Sequence, residues 1–216
     1  MSKAAQVKAP WLNSRDPEVP ATLTYSELSM CSRVEEMVRR YPDYIAYEFM
    51  GKCTTYAEMW KKINACAKSL KAIGIREGDK ITICMPNCPQ TVIMFYAVNL
   101  VGGIANMVHP LSSEKEIEFY LKESGSICAL TLDQFYHKFE AIRQNVESLN
   151  NVIIASIKDE LSKPIKVGYM LTEGRKIQKI PADAPIIRWK EFFQMGNRYR
   201  WKYKVKKEGK DAAVIL

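Results

Sequence analysis

The chain has 216 residues, 47% of them hydrophobic, which is enough apolar material for the core of a folded domain and excludes an intrinsically disordered protein. Its net charge of +8 is uneven: between Lys166 and Lys210 there are 13 Lys/Arg against 4 Asp/Glu, so all of the excess lies in that stretch. The first twelve residues carry lysines but no apolar run of the secretory kind, so the cytoplasm is the expected compartment.

Residues 1–31 show no periodic pattern and read as an N-terminal arm. From residue 32 the sequence alternates helix and strand signals. Ser32 with Glu35 forms a predicted capping box, Val34, Met37 and Val38 follow at helical spacing, and Tyr41-Pro42 stops the run. Residues 44–49 read as a strand closed by a turn at Gly51. Thr55 with Glu58 opens a second helix whose apolar positions Met59, Ile63, Cys66, Ala67, Leu70 and Ile73 fall on one stripe, with Gly74 as its stop. A turn at Gly78-Asp79 leads into 81–85, a continuous apolar run of the kind found in parallel strands covered on both faces.

Asn87 is the expected cap of the next helix, which ends at Gly102-Gly103; 104–108 returns as a strand. No Asp, Glu, Lys or Arg occurs from 81 to 113. A helix held between Pro86 and Gly102 has about fourteen residues and reaches roughly 21 Å, short of a ~30 Å hydrocarbon core, so it is predicted to be buried in protein. Ser113 with Glu116 caps a helix to about Glu123, 127–132 is a strand, 134–149 a helix and 152–157 a strand. Strands alternating with helices of this length predict an α/β fold: a mainly parallel sheet, right-handed crossovers and helices on both faces.

The pattern changes after residue 157. Residues 158–184 are polar, punctuated by Pro164, Gly168, Gly174 and Pro181, and 186–193 is too short to be a domain, so 158–210 reads as a basic excursion from the sheet, which resumes at 211–216 with the start of the next strand. The expected organisation is therefore an arm (1–31), an α/β subdomain (32–157), the excursion (158–210) and a strand (211–216). The unfinished edge at 212–216 offers a place for self-association.

Chemistry-bearing patterns are few. The sequence has no G-x-x-x-x-G-K-[ST], G-x-G-x-x-G or G-x-S-x-G motif. Of six cysteines, Cys66, Cys84, Cys88 and Cys128 sit in apolar periodic segments, as small buried hydrophobes do, so free thiols are expected; none joins a pair at zinc spacing, and no metal site is expected. His109 stands beside Pro110 at the end of a predicted parallel strand, where open α/β sheets bind ligands, although a loop histidine bonded to backbone is the plainer reading. His137 reads as surface. Glu114, Glu116, Glu118 and Glu123 share one helix and suit ordinary surface pairing. The tract Arg198-Tyr199-Arg200-Trp201-Lys202-Tyr203-Lys204 suits either phosphate contact or a strand or loop packed through its aromatic face.

Four segments in order resemble the adenylate-forming superfamily of acyl-CoA synthetases, aryl-CoA ligases, luciferase-like enzymes and peptide-synthetase adenylation domains. Thr54-Thr55-Tyr56-Ala57-Glu58-Met59 is similar to its L-T-Y-x-E-L motif, and Gly74 to Ile81 to its G-[IV]-x-x-G-D-[KR]-V turn. Met85-Pro86-Asn87-Cys88-Pro89-Gln90 is similar to P-N-x-x-[EQ], and Asn99 to Pro110 to the motif in which a small pair ends a helix and a strand runs to N-P or H-P. A further T-Y-x-E-L copy at Thr24 to Leu28 lacks the Gly-Asp turn downstream.

The resemblance implies an AMP-forming acid–thiol ligase that uses ATP, Mg2+ and CoA to activate a small-molecule carboxylic acid such as a fatty acid, and then to thioesterify it. It implies that Ala212 to Leu216 leads into a Ser/Thr/Gly-rich phosphate loop ending in Lys-Gly, so that the chain is an incomplete N-terminal subdomain, inactive alone, with its catalytic residues expected beyond Leu216. Arg198, Arg200, Lys202 and Lys204 are the candidates for CoA phosphates. The alternatives are a non-catalytic interaction module using the basic aromatic tract 198–207, or an adenylate-forming enzyme with another acceptor.

Overall fold

A computed structural model describes residues 9–216; the expectation for the first eight, part of the predicted arm, lies outside the described residues. Seven α-helices and eight strands follow in the order α1 (Met30–Arg40), β1 (Ile45–Phe49), β2 (Lys52–Thr55), α2 (Tyr56–Ala72), β3 (Lys80–Cys84), α3 (Pro89–Leu100), β4 (Ile104–Val108) and α4 (Glu114–Ser124). Then come β5 (Cys128–Leu132), α5 (Tyr136–Ile142), β6 (Asn151–Ala155), α6 (Lys163–Leu171), β7 (Ile187–Arg188), α7 (Trp189–Arg198) and β8 (Val214–Ile215).

Six strands form one parallel sheet in the order β7-β6-β5-β3-β4-β8, as the alternation predicts. The chain moves from β3 to β4 on one side, then crosses to β5 on the other, so the direction of winding reverses between β3 and β5. Two cores flank the sheet. Ile81 and Ile83 of β3 face α2, α3 and α7 together with Ile63, Leu70, Ile93, Met94 and Phe192. Cys84 and Val108 face α4 and α5 with Ile117, Leu121, Phe139 and Ile142. Because both faces are covered, β3 and β5 are buried almost throughout, including the hydroxyls of Thr82 and Thr131.

The two best-patterned helix starts are as predicted. At α2 the Thr55 hydroxyl accepts from the Glu58 N–H while the Glu58 carboxylate accepts from the Thr55 N–H, and Ser113 with Glu116 does the same at α4. The Thr24 to Leu28 copy builds no such box; there the Ser26 hydroxyl accepts from the Leu28 N–H.

Five expectations are corrected. Ser29, not Ser32, caps the first helix: its Oγ accepts from the Ser32 N–H, and the earlier start lets Cys31 bury its thiol against the Tyr96 carbonyl. Cys88, not Asn87, caps α3, because Pro89 suits the first helical position and holds the residue before it extended. Residues 45–49 stay out of the parallel sheet and pair antiparallel with β2, a strand the sequence reading missed. The two residues between them, Met50 and Gly51, both take positive φ, as a two-residue hairpin turn demands. The helix predicted over 134–149 is α-helical only at Tyr136–Ile142, with 3-10 turns at both ends that tighten the crossover to β6.

The largest change concerns 158–210, which contains two helices and a strand. The chain rejoins the sheet at Ile187, where β7 pairs with β6, and Trp189 and Phe192 of α7 bury against the core beside α2. Only then does it run in extended form across α2 and the end of α3, where the Val205 N–H donates to the Leu100 carbonyl, before β8 joins β4. All six cysteines are free; Cys66, Cys84, Cys88 and Cys128 are buried as their apolar setting predicts, and Cys31 is buried as well.

Candidate functional site

In an open parallel sheet, ligands bind outside the carboxyl ends of the strands, at the point where winding reverses. Here that point lies between β3 and β5, and the neighbouring loops are firmly tied. The Thr131 hydroxyl donates to the Cys84 carbonyl at 3.0 Å across the two strand ends. The loop after β3 is held when the Thr91 hydroxyl donates to the Pro86 carbonyl at 2.7 Å. The loop after β4 is held by Lys138 of α5, whose ammonium donates to the Pro110 and Ser112 carbonyls at 3.1 and 2.6 Å and lies 5.5 Å from the centre of the Phe135 ring.

His109 sits on this edge, exposed, with its Nδ1 accepting from the Leu111 N–H and its carbonyl accepting from the Ser112 N–H. These are the bonds of a loop-ordering histidine. Beside it the Glu116 carboxyl is held below the usual carboxylate range by the Ser113 N–H and hydroxyl. His137 is exposed on α5. Of the α4 carboxylates, Glu118 pairs with Lys122 at 2.6 Å and accepts from Asn145, as surface pairing requires.

The exit of β6 is tied by a buried amide. Gln90, fully buried in α3, donates from Nε2 to the Ser156 carbonyl at 2.9 Å. Its Oε1 and the Ser156 hydroxyl are buried with no hydrogen-bond partner among the described residues. Four residues on, Glu160 is buried with Lys62 of α2 at 2.6 Å and Lys52 of β2 at 3.9 Å, and its carbonyl accepts from Lys52. The pair binds the hairpin and α2 to the β6 exit. Nothing local in the sequence points to it, since the partners lie 98 and 108 residues apart.

A cavity of about 220 Å³ opens on the same edge, among the ends of β5, β6 and β7. Asp133, Ser156, Lys158, Tyr169, Lys179 and Arg188 line it, so three cations face one carboxylate. A second space of about 250 Å³ lies between the β1 side of the hairpin and the start of α3, lined by Tyr47, Phe49, Asn87 and Thr91 among others.

The basic tract is folded onto the helical layer. Lys204 pairs with Glu35 of α1 at 2.9 Å and lies 5.2 Å from the centre of the Trp60 ring. The Tyr203 hydroxyl donates to Asn64 Oδ1 at 2.8 Å, and Arg200 donates to the Asn197 carbonyl. Arg198 and Lys202 are exposed, and Trp201, 73% exposed, packs edge-on against Tyr199. Of the four candidate cations, Lys204 alone is engaged by another element, while Arg198, Arg200 and Lys202 are exposed.

Among the described residues no group of three His, Cys, Asp or Glu is placed to hold a metal ion. Nor is any helix start on this edge a glycine-rich turn of the type that cradles phosphates: α3 begins at Cys88-Pro89 and α6 at Ser162-Lys163-Pro164. No helix among the described residues is long and apolar enough to cross a membrane.

Comparison with known proteins gives a consistent result. The sequence profile of the AMP-binding enzyme family matches residues 34–189. A long-chain-fatty-acid–CoA ligase of Bacillus subtilis (strain 168) is 32% identical over 173 residues, covering 80% of this chain and 30% of that protein. The enzyme of the same name from Salmonella typhimurium is 28% identical over 158 residues, covering 72% of this chain and 28% of its own length. Among solved structures, the anthranilate CoA ligase AuaEII superposes with a TM-score of 0.68 at 14% identity, over 88% of this chain and 32% of that one. The N-terminal domain of FACL13 from Mycobacterium tuberculosis gives 0.64 at 19% identity, over 87% and 41%. The chain thus spans about 30% of the length of these curated relatives.

Proposed function

The chain belongs to the AMP-binding enzyme family, and from that premise we propose that it forms the front part of an ATP-dependent acyl-CoA ligase that activates a fatty acid to its acyl-adenylate and transfers the acyl group to CoA. The observation that carries this reading is where the family-like segments fall in the fold, taken with the identity of the relatives. The four family-like segments occupy the helix starts and strand turns that build the β3-β4 half of the sheet, and the curated relatives named above are long-chain-fatty-acid–CoA ligases.

In this reading the 216 residues supply a rigid parallel sheet, its covering helices and a tied set of loops along one wall of the site. Charge that develops on the α-phosphate and on the leaving pyrophosphate must be met by positioned donors. Those donors come from outside the described residues, so the 216 residues alone are inactive. The proposed organisation keeps 1–31 as an arm, 32–157 as the subdomain, 158–210 as an extension and 211–216 as a strand toward the rest of the enzyme. The protein is proposed to be cytoplasmic.

Arg198, Arg200, Lys202 and Lys204 remain a proposal for contact with the phosphates of CoA; neutralising all four in the whole enzyme and finding an unchanged KM for CoA removes them from that role. The acceptor is tested by supplying the whole protein with palmitate, ATP and either CoA or a phosphopantetheinylated carrier protein. Palmitoyl-CoA is the expected product. Acylation of the carrier alone assigns the protein to another branch of the family.

A further inference from the structure

The cavity among the ends of β5, β6 and β7 holds more positive charge than the fold uses. Lys158, Lys179 and Arg188 line it, against the single carboxylate of Asp133. Among the described residues none of the three cations forms an ion pair, and Asp133 accepts from the neighbouring Gln134 N–H instead. Arg188 gives one nitrogen to the Pro181 carbonyl at 3.1 Å. The charges just outside cancel: Glu173 pairs with Lys176, and Asp159 is set against Lys166 as well as Lys158. The lining therefore keeps an excess of two positive charges.

Ser156, on the sheet side of the cavity, adds an independent observation. It is 6% exposed, its N–H donates to Asp159 at 3.0 Å and its carbonyl accepts from Gln90 at 2.9 Å, so its backbone is fixed on both sides. Its hydroxyl alone has no partner among the described residues. A buried hydroxyl in that state destabilises the fold until an acceptor or donor reaches it. At about 220 Å³ the cavity has room for several waters of ~30 Å³ each, but neutral water leaves the excess charge unmet. An oxyanion accepts from hydroxyl, ammonium and guanidinium groups alike.

We propose that this cavity binds a phosphate group, either the free ion or the terminal monoester of a larger molecule. A phosphate monoester carries about −1.5 to −2 near neutrality, which matches the excess charge of the lining, whereas a monoanion leaves one cation unmet. The same ligand would anchor α6. None of the nine residues of that helix is buried, and Tyr169 and Met170 form its side of the cavity. A phosphate held by Ser156, Lys158 and Arg188 at the strand ends and by Lys179 opposite ties α6 and residues 177–180 to the sheet. Phosphate binding here does not depend on the reaction proposed above.

Calorimetric titration of the 216-residue chain at constant ionic strength with inorganic phosphate, glycerol 3-phosphate and acetate tests this, alongside hydrogen exchange read by peptide mass spectrometry. Saturable binding of phosphate but not acetate is expected, with exchange slowed in 163–180. Ser156→Ala should weaken phosphate binding roughly tenfold, yet leave the unfolding midpoint without phosphate unchanged or raised, because it removes an unpartnered hydroxyl. Lys158→Gln with Lys179→Gln, at half-buried and exposed positions, should stay folded by circular dichroism and weaken binding several-fold. Tighter binding of glycerol 3-phosphate than of inorganic phosphate assigns the site to an ester, and the reverse order to the free ion. The proposal is overturned if phosphate does not bind, binds no better than acetate, or binds unchanged in both variants with protection confined to the basic tract 198–207. It is also overturned if Ser156→Ala lowers the midpoint without phosphate, since the hydroxyl would then already be bonded within the fold.

Discussion

Gly196 of α7 lies so close to Ser69 of α2 that a Cβ placed on the glycine would stand 2.3 Å from the serine Oγ and 2.7 Å from its backbone nitrogen. Neither group is free to retreat, since Ser69 is fully buried inside α2 and its hydroxyl donates to the Ala65 carbonyl. Gly196→Ala must therefore push α7 off α2, lowering unfolding stability by about 1–3 kcal/mol, the range for forced overpacking. Urea unfolding checks it; an unchanged midpoint would show that α7 is loosely held.

The Lys62–Glu160 pair is expected to be a second point of weakness. Removing the carboxylate with Glu160→Ala leaves an ammonium group, half inside the fold, without its partner, and costs roughly 3 kcal/mol. Burial pulls the Lys62 pKa down, but the hydrogen bond and charge of Glu160 more than offset this and hold it above the ordinary 10.5. A base with a raised folded-state pKa stabilises fully below its unfolded value, and that contribution fades as pH rises through the folded one. Unfolding free energy should thus fall at strongly alkaline pH in the parent chain. The fall should shrink in Glu160→Ala, and equal slopes would contradict the pairing.

Thiol chemistry should separate the cysteines. Burial pushes Cys31, Cys84 and Cys128 up to about 12 and Cys66 well above its usual value, which leaves almost no thiolate near neutrality. Cys53 alone is exposed. Brief iodoacetamide treatment at neutral pH followed by peptide mass spectrometry should find Cys53 labelled and the other five only after denaturation. Rapid native labelling of Cys66 or Cys128 would mean that the core opens.

Met50 holds φ at 50° in the hairpin turn, a conformation that disfavours its side chain, and it is 55% exposed with little packing to lose. Met50→Asn keeps the turn with a residue that tolerates the left-handed region. A stability gain on the order of 1 kcal/mol is expected from thermal unfolding. A loss would mean that the Met50 side chain contributes to packing.

The central sheet was legible because its signals are local. Apolar runs such as 81–85 and 128–132 need no context to read as covered strands, and the reciprocal bonds of Thr55 with Glu58 span four residues. What escaped were features set by distant partners. β7 is two residues long, Ile187 and Arg188, and becomes a strand only because β6 offers an edge. α6 carries no inward stripe to betray it, since Val167, Met170 and Leu171 point away from the core. Glu160 reads as one more surface acid until the fold brings Lys52 and Lys62 to it. At the candidate site the sequence located the tied loop at His109 but could not foresee that Lys204 would pair with Glu35 of α1, 169 residues away.

The most direct measurement of the central claim is fatty-acid-dependent exchange of labelled pyrophosphate into ATP, run on the whole protein that carries this chain and on the 216 residues alone. Exchange by the whole protein that requires both fatty acid and Mg2+, with none from the isolated chain, is the predicted result. A folded whole protein that catalyses no exchange with any carboxylic acid, or an isolated chain that does, would contradict the account.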